Sequence, residues 1–175
     1  DYLDRSGRPR LAYRHVAGRG PTIVFLPGYM SDMAGGKATA LLAWAVAEGR
    51  ACLLLEYAGC GLSDGSFADQ TLLDWRGDVL DLIDAKVEGR VLLVGSSMGG
   101  WLMLLTALAL TQRDGPQRVA GLVGIAAAPD FTEWGFSDAE KAIIRTEGAL
   151  IEDTPYGDQP YVTTRALFES GEANR

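Results

Sequence analysis

The chain has 175 residues, 47% hydrophobic and 22% charged, with a formal net charge of −7; this balance predicts one folded domain with a real core and excludes a disordered or fibrous chain. The acidic surplus gives no electrostatic footprint for nucleic acid or for an anionic membrane surface, which leaves a small-molecule or acylated substrate as the expected partner. The longest apolar run, around Leu102 to Leu110, is far short of the roughly 20 residues that span a bilayer, and no leader signature opens the sequence, so a soluble, cytoplasmic protein is expected.

In chain order, "RLAYRHVAG" alternates as a strand does, and "PTIVFLPG" is a short β-branched run ended by Pro-Gly. These two are expected to be neighbours. Lys37 to Glu48 predicts a helix carrying Trp44, with Gly49 closing it. "ACLLLEYAG" is apolar on both faces, the mark of a parallel strand with helices above and below. After the turn-rich "YAGCGLSDGSF", Thr71 and Asp74 form a capping pair for a helix that buries Leu72, Trp75, Val79, Leu82 and Ile83, with Asp74, Asp78 and Asp81 opposite. Val91 to Val94 is a second doubly buried strand, Gly100 to Thr111 an apolar helix containing Trp101, and "VAGLVGIAAA" another strand. Regular alternation of strand and helix predicts a right-handed α/β domain with a mostly parallel sheet, spanning residues 1–175 without repeat or linker. Beyond Asp130 the rhythm changes. Ser137 and Glu140 make a capping box for a short helix but no buried strand follows, so residues 130–170 read either as a partial cap over the sheet or as a crossover segment.

Cys52 and Cys60 lie far from any ligand-spaced histidine and suggest neither a disulfide framework nor a zinc site. Cys52 is expected in the core and Cys60 as a loop thiol. No metal and no cofactor are expected.

The chemistry concentrates in "RVLLVGSSMGGWLMLL". A serine hydroxyl attacks a carbonyl only when it is held exposed beside a base, with donors aimed at the oxyanion that forms. A sharp turn between a buried strand and a buried helix presents it, and small flanking residues permit the turn, which gives G-x-S-x-G. Gly95, Ser97 and Gly99 satisfy this frame; Ser96 does not, because Val94 and Met98 stand where glycines would be needed. The oxyanion donors are expected from the amide of Met98, at the start of the next helix, and from that of Tyr29 in "FLPGYMSD", with Gly28 allowing close approach. No G-x-G-x-x-G follows a first strand and no phosphate-cradling G-x-x-x-x-G-K-[ST] occurs.

Together "LPGYMSDMAGGKA", "YAGCGLSDG" and "VGSSMGGWLML" resemble the α/β-hydrolases, and among them the palmitoyl-protein thioesterase and acyl-glucuronide esterase group with its bacterial homologues. The resemblance runs from about Leu11 to about Leu167. It implies an α/β-hydrolase fold, truncated before its last strands, and an esterase or thioesterase with Ser97 as nucleophile. In that family the triad acid and histidine follow two further strands. Here no histidine follows Ser97, and the only one, His15, sits in an early strand where a surface or core role suits it better. The base is therefore expected beyond Arg175, and this chain is expected to be a catalytically impaired fragment. Asp130, at the end of a strand, is a candidate for the acid, with a loop or cap role as the alternative.

Phe131 and Trp134 follow that strand end and are candidates for an acyl pocket, as is Met30 beside the oxyanion loop. Trp44, Trp75 and Trp101 are expected in the core. Asp32, Glu56 and Asp64 read as solvated turn carboxylates, and Lys37 as a solvent-facing ammonium. The resulting expectation is a serine hydrolase of carboxylic esters or thioesters; a peptidase or amidase of the same fold, and a non-catalytic binding protein that kept the turn, are the alternatives.

Overall fold

The computed structural model describes residues 1–154 and 159–175. Six strands form the main sheet: β1 (Tyr2–Arg5), β2 (Arg8–Val16), β3 (Arg19–Leu26), β4 (Arg50–Leu55), β5 (Val91–Ser96) and β6 (Val119–Ile125). Their spatial order is β1-β2-β4-β3-β5-β6. β3 to β6 run parallel, and the β1–β2 hairpin is added antiparallel through β2 and β4.

Alternation along the parallel strands divides the core in two. Val24, Leu26, Leu53, Leu55 and Leu93 face helices α2 (Leu72–Lys86) and α3 (Met98–Asp114); Ile23, Phe25, Cys52, Leu54 and Val94 face α1 (Gly36–Ala47). Consecutive buried leucines such as Leu53, Leu54 and Leu55 are stable only with apolar cover on both sides. The expected capping box of α2 is present, with Thr71 and Asp74 each serving the other's backbone amide. The chain leaves β3 toward β4 and later leaves β5 toward β6, so the connections diverge between β3 and β5. That divergence opens a crevice at the carboxyl ends of these two strands.

Several expectations are corrected. β2 pairs with β4 rather than with β3, because the helix after β3 returns the chain to the β2 side. Asp78 is not on the solvent side of α2: it is 1% exposed, with Arg5 at 2.7 Å and the Ala58 amide at 2.8 Å. Cys60 is buried, and Trp44 is half exposed on the outer side of α1, while Trp75 and Trp101 are in the core as expected. Glu56 is buried too, accepting from the amides of Met33 and Leu62.

After β6 come α4 (Phe131–Trp134), α5 (Asp138–Glu147), β7 (Ala149–Glu152), β8 (Tyr161–Thr164) and α6 (Arg165–Glu172). β7 and β8 pair antiparallel with each other and not with the main sheet, so strands do follow Asp130. Ile144, Leu150 and Phe168 give this region a small core of its own. Leu167 of α6 joins the main core, and the Trp101 indole donates to the Asn174 carbonyl at 3.3 Å.

Candidate active site

β5 ends at Ser96 and α3 begins at Met98, so the chain must reverse within one residue, Ser97. Ser97 takes φ 54° and ψ −124°, a conformation that a side chain disfavours by roughly 1–3 kcal/mol. The turn is fixed on three sides. Ser97 donates its amide to the Ile125 carbonyl at 3.1 Å, and its own carbonyl accepts from Gly100 at 2.8 Å and Ala128 at 3.0 Å. A Cβ at Gly99 would collide with the carbonyl oxygens of Leu26 and Pro27, so only glycine lets α3 start so close to the end of β3. Between Gly95 and Gly100 only Ser97 is half-buried; its neighbours are fully buried.

The loop after β3 presses against this turn. A Cβ on Gly28 would lie 3.3 Å from the Ser97 Cβ, so glycine is what permits the approach. Among the described residues neither the Tyr29 amide nor the Met98 amide has a hydrogen-bond acceptor in the protein. Both residues, with Ser97, line one cavity of about 580 Å³. Met98 opens α3, where the helix dipole favours negative charge.

Phe131 and Trp134 line the same cavity, joined by Phe136, Tyr161 and Thr163 from the region beyond β6. Trp134 remains 64% exposed and donates its indole to the Pro129 carbonyl. Tyr29 packs edge-on against Phe131 and Tyr161, with centroids 6.0 and 5.3 Å away, and its hydroxyl donates to the Val162 carbonyl at 2.6 Å. Burial holds that hydroxyl above its ordinary pKa, so it stays a neutral donor. Met30 does not line the cavity; it absorbs a backbone turn at φ 49°.

Asp130 is not brought to the cavity wall. It turns the chain into α4 at φ 54°, and its side chain makes no capping hydrogen bond. His15 is exposed on β2, with β4 and β3 between it and β5. The two thiols are no substitute for Ser97: burial pushes Cys52 up to about 11 and Cys60 up to about 12, which leaves both protonated near neutrality. Among the described residues no cluster of His, Cys, Asp and Glu is placed to hold a metal. Ser96 and Lys37 were missed as site residues by sequence reasoning, yet both line the cavity.

A parallel sheet with helices on both faces, a cavity at its divergence point and a strained strand-to-helix turn beneath it define the α/β-hydrolase class. The sequence profile of the alpha/beta hydrolase family matches residues 23–173, and the chain belongs to that family. It is 45% identical over 129 residues to the human mitochondrial palmitoyl-protein thioesterase ABHD10, an overlap of 74% of this chain and 40% of the relative. The chain thus spans well under half the length of this curated relative. Among solved structures, a protein of Agrobacterium vitis S4 is 37% identical at a TM-score of 0.88, over 99% of this chain and 70% of the other. Mouse ABHD10 is 36% identical at 0.86, over 99% and 69%.

Proposed function

We propose that this chain carries the nucleophile half of a serine hydrolase that cleaves carboxylic esters or thioesters. The observation that carries the reading is the strained Ser97, half-buried at the floor of a cavity that it shares with two acceptor-free amides, Tyr29 and Met98. The Ser97 Oγ attacks the carbonyl carbon while its proton passes to a base, and the carbonyl oxygen takes up the negative charge facing the two amides. Collapse of that intermediate expels the alcohol or thiol, protonated by the base, and leaves an acyl-serine. Water then repeats the addition and releases the acid.

The apolar walls from Phe131, Trp134 and Phe136 suit an acyl group, and α4, α5, the β7–β8 pair and α6 act in this reading as a cap over the site. The name of the 45% identical human relative, a palmitoyl-protein thioesterase, supports an acyl thioester as one substrate class. No histidine of these 175 residues suits the role of base, and we assign the base and its acid to a part of the protein outside them.

A fluorophosphonate probe tests the reading on the full natural protein. Labelling of Ser97, lost in Ser97→Ala, is the expected result. A folded protein that resists labelling overturns the hydrolase and favours the non-catalytic alternative. Faster turnover of an acyl anilide than of the matching ester or thioester would transfer the assignment to an amidase.

A further inference from the structure

Ser96 was set aside as a nucleophile, and its place in the fold gives it another use. In β5, Leu92 and Val94 pack toward α1, so the two-residue period turns Ser96 the same way, opposite to Ser97. Ser96 is only 8% exposed, yet its hydroxyl has no hydrogen-bond partner among the described residues. A hydroxyl with no protein partner at the edge of a recess is free to donate to a group bound there.

The Ser96 side chain borders a recess of about 80 Å³ that opens beside Ser97, sharing Gly28, Ser31, Lys37 and Ser96 with the larger cavity. Its far wall is the start of α1. That helix has no side-chain cap and no acidic residue in its first turn. The amides of Gly36, Lys37 and Ala38 therefore point out of the helix end with no protein acceptor. The Lys37 ammonium makes no ion pair among the described residues. Asp32 also borders the recess, with one carboxylate oxygen tied to the Ala34 amide at 2.9 Å, and it sets a local opposing charge. The space is large enough for the three heavy atoms of a carboxylate.

We propose that this recess is a carboxylate subsite, in which Lys37, the Ser96 hydroxyl and the first amides of α1 hold a carboxylate carried by the substrate near its scissile carbonyl. The substrate class is then an ester or thioester with an anionic end, bound with its neutral part in the larger cavity. This rests on Ser97 as the reacting serine, but the recess is tested without turnover.

The experiment uses the full natural protein as Ser97→Ala, with backbone amide shifts followed by NMR as small esters are titrated. Monomethyl glutarate places the carboxylate on the acyl side, the pentanoyl ester of glycolate places it on the alcohol side, and methyl pentanoate is the neutral control. Saturable shifts of Gly36, Lys37 and Ala38 with either acid support the subsite and tell which side carries the charge. Lys37→Met and Ser96→Ala each weaken that binding by roughly tenfold, the loss of one charge-assisted or buried hydrogen bond. Lys37→Arg retains binding, and Asp32→Asn tightens it. Equal shifts with methyl pentanoate, no shifts with either acid, or indifference to both Lys37→Met and Ser96→Ala overturns the subsite. Fluorophosphonate labelling of the full protein is unaffected by that outcome, so the two readings fail separately.

Discussion

Ser97 holds its backbone in a region that glycine enters freely and a side chain does not, and the three hydrogen bonds around it keep it there. The fold thus spends stability to present one hydroxyl. Ser97→Gly should remove that strain and raise the free energy of urea unfolding by about 1 kcal/mol while abolishing labelling; an unchanged or lower stability would mean that the turn stores no strain. The opposite change sits two residues on. Gly99→Ala forces a methyl group into the Leu26 and Pro27 carbonyls, and the expected loss of more than about 3 kcal/mol is read from the same unfolding curves. This pair of effects explains why the turn was legible in the sequence: steric demand selects glycine at fixed offsets, and that leaves a mark in the residue string. Ser96 left no such mark, because which face a serine occupies depends on strand register and on the helix packed against it.

At the scale of elements, the N-terminal hairpin is fastened to α2 by Arg5, which reaches Asp78 at 2.7 Å and Asp81 at 2.9 Å, with Arg8 at 3.3 Å from Asp78. Asp78 also accepts from the Ala58 amide, so one carboxylate joins β1, α2 and the loop after β4. Burial is the dominant influence on it and holds its pKa above the usual carboxylate value, although the Ala58 amide and Arg5 pull the other way. A raised carboxylate pKa contributes stability at low pH that is lost as pH rises through the folded value. Arg5→Met removes the principal counter-charge and raises that pKa further. The variant should lose about 3 kcal/mol near pH 8 and distinctly less near pH 4, measured by urea unfolding at the two values. A loss independent of pH would assign Arg5 a packing role only. The same junction shows where sequence periodicity stops. Helical spacing placed Leu72, Trp75, Val79, Leu82 and Ile83 correctly in the core. It put Asp78 in solvent because the helix alone cannot show that a hairpin from the other end of the chain, unpredicted over Tyr2–Arg5, will cover that face. β3, β4 and β5 were legible because doubly buried strands read as continuous apolar runs, and β6 by its apolar run although it is an edge strand with Leu122 and Val123 exposed; β7 and β8 were not, since four residues apiece with Ile151 67% exposed carry no such run.

At the scale of the whole molecule, the cavity exists because the region beyond β6 is held over the crevice between β3 and β5. Tyr29 is the main tie. It lines the cavity, its ring contacts Phe67, Phe131 and Tyr161, and its hydroxyl reaches Val162 on β8, with Thr163 at 3.3 Å. One residue therefore couples a proposed oxyanion donor to the layer above it. Removing the hydroxyl leaves the ring packing and the amide in place but strands the Val162 carbonyl, a local cost of about 1–3 kcal/mol. Because β7 and β8 contact each other and little of the main sheet, that cost should appear as local opening rather than global unfolding. Tyr29→Phe is accordingly expected to speed amide hydrogen exchange across Ala149–Glu152 and Tyr161–Thr164 by about tenfold. Exchange in β3, β4 and β5 should stay unchanged. Equal acceleration in all of these strands would show that the hydroxyl supports the core as a unit, and no acceleration in β7 and β8 would show that the ring contacts alone hold the upper layer. Fluorophosphonate labelling of the same variant in the full protein separates the two parts of Tyr29. Labelling that persists while the hairpin loosens assigns the hydroxyl to holding the upper layer and leaves the amide to the reaction.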